Sequence, residues 1–208
     1  MLRLIPILAA AAALPALELV ERDLGIAVEV PPTDYDFTLE RPGQSGSGSD
    51  AFDSATAVWL RGCYAFTGPG DRHGPLLGAG LGVEMDSLPT GSRSLYAGEL
   101  SGGWGVAITD SLSAHALLRL QAGMAQLDLD ASGAAPAFSA SGMSVGYGAE
   151  LGVSYALSER VVLTADAGWR QASEDLSGDG VDVTLEPAGP VIGLGLWWRL
   201  SSRPWRLE

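Results

Sequence analysis

Along residues 143–157 the polarity alternates without a break. Met143, Val145, Tyr147, Ala149, Leu151, Val153, Tyr155 and Leu157 share one parity, and Ser144, Gly146, Gly148, Glu150, Gly152, Ser154 and Ala156 share the other. Successive side chains of a strand point to opposite faces, so the segment predicts a strand with one apolar face and one small or polar face. It is also long: soluble strands run about 5–6 residues, whereas roughly 9–11 tilted residues cross a bilayer. The period-two pattern recurs at residues 77–85, 96–108, 114–124, 161–169 and 192–200. Apolar residues three and four apart, which a helix needs, do not organise these segments. A greasy face backed by a glycine-rich, carboxylate-bearing face suits a wall between lipid and a polar lumen.

Eight strands are predicted, near residues 33–41, 54–67, 76–87, 93–108, 112–127, 138–157, 161–175 and 181–200. The first follows Pro31-Pro32, which cannot sit inside a paired strand. Pro187 and Pro190 predict a bulged or membrane-external start for the eighth. Long or flexible connections (residues 42–53, 128–137 and 178–180) alternate with tight turns at residues 109–111 and 158–160. Longer loops on one rim and short turns on the other is the arrangement of outer-membrane barrels. Residues 68–75 depart from it by being long on the short-turn rim, and residues 88–92 by being compact on the other. Ahead of the strands, residues 1–16 read as a cleaved export signal, with Arg3 as the positive end and residues 4–14 as the apolar core. That leaves residues 17–32 as an N-terminal extension, residues 33–200 as the barrel and residues 201–208 as a C-terminal tail. Outside the export signal no segment is apolar enough for a spanning helix, but a closed barrel also satisfies every backbone group within a membrane.

Composition narrows the function. A length of 208 residues suits one domain. The formal net charge of -13 leaves no basic patch to neutralise phosphates, which argues against nucleic acid. Cys63 is the single cysteine, so an intrachain disulfide and a cysteine-based metal site are both excluded.

The apolar parity carries aromatics in two groups. Tyr64, Phe66, Trp104, Tyr155 and Trp198 fall near the short-turn ends of their strands, and Tyr96 and Trp169 near the opposite ends. Amphipathic rings prefer the two membrane interfaces, so these read as aromatic belts. The other parity collects charges of both signs: Arg61, Glu84, Glu99, Arg119, Glu150, Asp166, Arg170 and Arg199. An eight-stranded barrel is only just wide enough for side chains, and an unpaired buried charge is strongly destabilising. The set is therefore expected to form an ion-pair network that plugs the lumen; the sharper alternative is a gated pore. Gly152→Ala, on this parity, is expected to impair assembly far less than Leu151→Arg on the apolar one.

Catalytic chemistry has little to build on. Ser113 and His115 share a strand face, but near the short-turn rim, and no nucleophile elbow is present. Asp128 and Asp130, with Asp175 and Asp179, lack the glycine and terminal glutamate of a calcium loop and read as solvated acidic loops. The alternating Gly78, Gly80 and Gly82 do not precede a helix and cradle no phosphate. The chain is therefore expected not to be an enzyme and to use no cofactor and no metal.

With these residues on the page, the chain resembles the small eight-stranded outer-membrane barrels of diderm bacteria, the outer-membrane-protein-A-type transmembrane domain and its relatives, across roughly residues 33–200. Residues 193–198 (GLGLWW) look like the family's terminal assembly signal, although residues 199–208 follow it where the family usually ends. The resemblance implies an all-β, antiparallel, up-and-down, eight-stranded transmembrane barrel, reached by export to the periplasm and placed in the bacterial outer membrane. Its implied partners are outer-membrane lipid and, through the last strand, the barrel-assembly machinery, with a monomer favoured. The expected role is structural or surface-interactive and non-catalytic. The alternatives are a narrow porin-like channel, or a soluble exported barrel whose apolar parity faces inward around a small apolar ligand.

Overall fold

Period-two alternation becomes ten β-strands in a computed structural model that describes residues 18–67, 71–131 and 137–202. The expected export signal, and the tail beyond residue 202, lie outside the described residues. In chain order the strands are β1 (Glu18–Val30), β2 (Asp34–Arg41), β3 (Gln44–Ala51), β4 (Ser54–Thr67), β5 (His73–Leu88), β6 (Gly91–Ala107), β7 (Leu112–Leu129), β8 (Phe138–Ala156), β9 (Val161–Gly178) and β10 (Val181–Ser202). All described pairings are antiparallel. They run β1-β4-β5-β6-β7-β8-β9-β10, and β1 also pairs with β10, so eight strands close into an up-and-down barrel. β2 and β3 continue the sheet from the far end of β10.

The first barrel strand is thus Glu18–Val30 and not residues 33–41, so residues 18–30, expected to be part of an N-terminal extension, are wall. Val30 lies opposite Ile192 and Tyr35 opposite Pro187, so β1 and β2 keep one register on β10. Pro31-Pro32 removes two ladder donors and splits this single line in two. β3 pairs with β2, then passes through Phe52 and Asp53 into β4. Residues 42–53, expected to be a flexible loop, are therefore the turn and descending arm of one long first hairpin, with Gly43 at φ 79° in its turn. At the other end of the chain the last strand runs to Ser202, two residues past its expected end, paired along β1.

The outer wall changes character along the strands. On β8, Met143, Val145, Tyr147, Leu151, Val153 and Tyr155 all face outward, with Leu151 69% exposed. Leu81, Leu100, Leu118, Leu120, Ile192 and Leu194 continue this apolar band around the barrel. Above it, at the end of the barrel away from the chain termini, the polarity inverts. On β9, Gln171, Ser173, Asp175 and Ser177 are exposed while Ala172, Glu174 and Leu176 are buried. On β10, Asp182 and Glu186 face out while Val181, Val183 and Leu185 are buried. The same strands therefore build an apolar-outside barrel below and an apolar-inside crown above. A water-soluble barrel would be apolar-inside along its whole length, so the alternative with its apolar parity inward fits the crown only.

The band generates a direct test. Leu151→Arg is expected to cost roughly 2–4 kcal/mol at the bilayer midplane and to abolish heat-modifiable, detergent-resistant barrel on gels. Gly98→Ala, whose added Cβ meets only Leu81 and a backbone oxygen at ordinary contact distance, is expected to leave it intact. Equal mobility of both variants would reject the lipid-facing assignment.

Candidate functional site

Closing eight strands turns one parity into the lining of a narrow bore. Where the chain puts a charge on that parity, it must find a partner across the bore. Ten side chains do so as one connected chain. Arg119 bonds Glu99 at 2.6 Å, and Arg61 bonds Glu99 through Nε and Nη2 at 2.5 and 2.8 Å. Arg61 also reaches Glu29, which takes a further bond from Arg170 at 2.5 Å. Arg170 contacts Glu84 at 3.2 Å, and Glu84 accepts from Arg93 at 2.7 Å. Arg93 then holds Asp86 and, through two guanidinium nitrogens, Glu174, which Ser144 also supports at 3.0 Å. Glu150 meets Arg119 Nε at 2.7 Å, but off the N–H direction, so this contact is ionic and not a directed hydrogen bond. The bonds are charge-assisted and, at Arg61 and Arg93, forked, the geometry that holds guanidinium and carboxylate most firmly. The network side chains range from fully buried to 8% exposed.

Trp59, 1% exposed, stands in the middle of this network. The Arg61 and Arg170 guanidinium carbons lie 5.1 and 5.9 Å from its ring centre. A Cβ at Gly82, opposite Trp59 on β5, would run into the indole, so a glycine is what lets the ring lie flat against the wall.

The structure sorts the eight expected lumen charges. Arg61, Glu84, Glu99, Arg119, Glu150 and Arg170 are brought together. Asp166 is not among them: it takes His115 Nε2 at 2.7 Å across β8. Arg199 lines a lower cavity instead. Glu29, Asp86, Arg93 and Glu174 complete the network without having been singled out in the sequence. Glu29 lay in the supposed extension. The others sit where outward neighbours such as Ser87, Ser92, Ser94 and Ser173 are polar too, so parity carries no contrast there. The His115–Asp166 contact passes directly over Gly152, where an added Cβ would overlap both side chains. Gly152 is therefore not the tolerant position its parity suggests.

Above the network the bore is apolar. Leu95, Leu127, Phe138, Leu176, Val181, Val183 and Leu185 are buried there. Tyr35 and Phe52, from the first hairpin, stack at 4.5 Å, and Phe52 lies 5.6 Å from the Arg93 guanidinium carbon. Burial pushes the Tyr35 phenol above its ordinary value, and Asp50 and Asp53 push it the same way. Below the network, a cavity of about 130 Å³ opens toward the rim with the short turns and chain ends. It is lined by Cys63, Ser101, Ser113, His115, Thr164, Asp166, Trp197 and Arg199, among others, and has room for roughly four waters. His115 spends Nε2 on Asp166, and among the described residues no hydroxyl is bonded to its ring.

The aromatics of the outer face fall at both edges of the band. Tyr155 lies opposite Leu112 and Trp198 opposite Val161, each the first residue of a strand, and Tyr64 and Trp104 are exposed three residues from the ends of theirs. Phe66 is half-buried. Tyr96 and Trp169 stand where the wall turns polar at Ser94 and Gln171. Tyr147 belongs with them and was not singled out: it is exposed and donates its hydroxyl to Gln171 at 3.0 Å. Its apolar parity and polar tip were the available signal. The acids of the upper loops turn to polar neighbours. Asp128 accepts from Ser139 Oγ, Asp179 from the Ser139 amide and Asp175 from Thr184. Among the described residues no group of three His, Cys, Asp or Glu side chains is placed to hold a metal ion.

No protein-family model and no curated protein matches the sequence. Among solved structures the chain is similar to the outer membrane protein OprG of Pseudomonas aeruginosa, at TM-score 0.55 and 14% identity over 89% of this chain and 98% of that one. It also matches Neisserial surface protein A, NspA, at TM-score 0.43 and 16% identity over 85% and 97% of the two chains. A third match is Ail, the attachment invasion locus protein of Yersinia pestis, at TM-score 0.39 and 15% identity over 86% and 99%. At such identities a likeness carries the fold alone, and here it rests on OprG. The chain has the fold of the small outer-membrane β-barrels.

The network predicts its own energetics. Arg93→Gln leaves Asp86 and Glu174 without a cation in a sealed bore and Glu84 with Arg170 alone. It is expected to destabilise the barrel by about 3–5 kcal/mol, read as a lowered urea midpoint in detergent. Arg119→Gln and Glu150→Gln are each expected to destabilise, and the double variant to recover part of the loss. Strict additivity of that pair would show that the two charges do not interact.

Proposed function

We propose that this protein is a non-catalytic, non-conducting outer-membrane β-barrel whose task lies at its exposed crown and not in its bore. The carrying observation is the double closure of the lumen: a buried ion-pair network spans the bore, and an apolar cluster fills it above. A conducting pore needs continuous water, and neither layer leaves room for it. The exposed apolar band with aromatics at both edges fits a bilayer, and the short turns and chain ends then face the periplasm. The strands outlast the band on the other side, so the crown and first hairpin stand in the medium outside the cell. Exposed acids there include Asp34, Asp36, Glu40, Asp50, Asp182 and Glu186. The protein would contact outer-membrane lipid along the band and act as a monomer. Its last strand, ending the band with Trp198, would be what the assembly machinery engages.

Planar-bilayer recording tests the reading. The purified protein is expected to be electrically silent, while Arg93→Ala combined with Phe52→Ala, which thins both layers, is expected to pass discrete current steps. Steady conductance from the unaltered protein would replace this reading with the narrow channel.

A further inference from the structure

Among the described residues the crown wall has a gap, and the strand lengths explain it. β4 pairs with β5 no higher than Ser54 opposite Ser87, because the β5–β6 hairpin turns at Pro89-Thr90. The first hairpin climbs on: β2 and β3 pair as far as Arg41 opposite Gln44. On that register residues 44–50 rise above their neighbour's turn, and among the described residues β3 ends the strand order, bonded to β2 alone. Every residue of β3 is exposed. Asp50, near the strand's lower end, is its one charged residue; along residues 44–49 it carries neither charge nor proline nor lysine.

The face beside this edge is unusual. Asp182 lies directly opposite Glu40, and Glu186 directly opposite Asp36, all four exposed. Like charges directly opposite on a ladder are destabilising, so the two pairs work against the crown's own stability. The outward positions of β3 next to them are Ser45, Ser47 and Ser49. Ser49 donates its hydroxyl to Asp36 at 2.5 Å, but a single neutral donor leaves the charge in place, and among the described residues the Glu40 carboxylate, opposite Ser45, takes no such bond. A long cationic side chain on a strand added at the edge could lie across the serines and reach these carboxylates.

We infer that β3 is a docking edge for an extended, basic peptide segment of a partner protein, which adds as a strand in the gap above the β5–β6 turn. Main-chain bonds to β3 give affinity, and lysine or arginine four residues apart gives selectivity, matching the spacing of Asp36 and Glu40. Charge selects this occupant over a second copy, since pairing β3 with β3 would bring two acidic faces together. The inference rests on the reading that the crown faces the extracellular medium.

The test uses the full protein in detergent micelles and a labelled eight-residue peptide of threonine and valine with lysines four apart. Binding is read by fluorescence anisotropy against three control peptides: glutamate in place of lysine, and N-methylation of alternate amides along one edge or the other. The lysine peptide is expected to bind. One of the two N-methylated versions should lose at least about tenfold, and the glutamate version should not bind. Asp36→Asn/Glu40→Gln should weaken binding about three- to tenfold without lowering the urea midpoint, since it removes two like-charge pairs. The inference is overturned if both N-methylated peptides bind like the parent, if the glutamate peptide binds equally, or if nothing binds. It is also overturned if the protein forms a dimer in sedimentation that Ser47→Pro abolishes. Peptide failure with an electrically silent barrel sinks this inference alone; steady conductance sinks the reading of the bore and leaves the peptide result standing.

Discussion

A ring of eight strands encloses a bore that side chains alone can fill, and every residue of the wall must face either that bore or the surroundings. The rest of the structure follows from this closure. Parity decides in or out, but what lies outside changes along the axis, from an apolar setting to water. The composition of both faces must change with it. At the level of the band the outer face is Leu, Val, Ile and aromatic, so the inner face has to be small or charged, and the charges have to pair. Higher up the outer face is Asp, Ser and Thr, and the inner face can be Leu, Val and Phe. One strand such as β9 obeys both rules in turn, from Leu163 and Trp169 outside to Leu176 inside.

This explains what could be read from the amino-acid sequence and what could not. Where the surroundings are apolar, alternation is strong, and β4 to β10 were legible together with six of the ten network residues. Where polarity inverts, contrast fades and then changes sign. Arg93 has serine on both sides, and Asp86 lies between Met85 and Ser87, so neither is marked as inward by its neighbours. β3, with the sequence QSGSGSDA, has no apolar parity at all; its strand character comes only from pairing with β2. β1 failed for another reason. Ile26, Val28 and Val30 do alternate with Gly25, Ala27 and Glu29, but Pro31-Pro32 reads as a boundary when it is only a break within one line of chain. Losing β1 also lost Glu29, the carboxylate that joins Arg61 to Arg170.

The unequal hairpins carry a second consequence. A barrel abolishes sheet edges only as far as its shortest hairpin reaches. Because β5–β6 turns at Pro89-Thr90 while the first hairpin climbs to Gly43, the crown reopens an edge that the lower barrel had closed. The edge is hydrophilic, which protects against non-specific aggregation. Its row of carboxylates narrows what can pair with it.

The two ends of the bore are not equivalent, and this grades the cost of disturbing its charges. Arg119 and Glu99 border the open lower cavity, where water can approach a charge left alone. Arg93, Asp86 and Glu174 are closed off from above by Phe52 and the apolar cluster, and their side chains have no exposed surface. Desolvation makes an unpaired charge most costly where water cannot return. Disruption near the cavity can therefore be relieved by hydration, whereas disruption at Arg93 has to be relieved by moving the crown itself. The network thus ties the first hairpin to the barrel, because Phe52 stacks on Tyr35 and rests against the same guanidinium that holds Glu84, Asp86 and Glu174 in place.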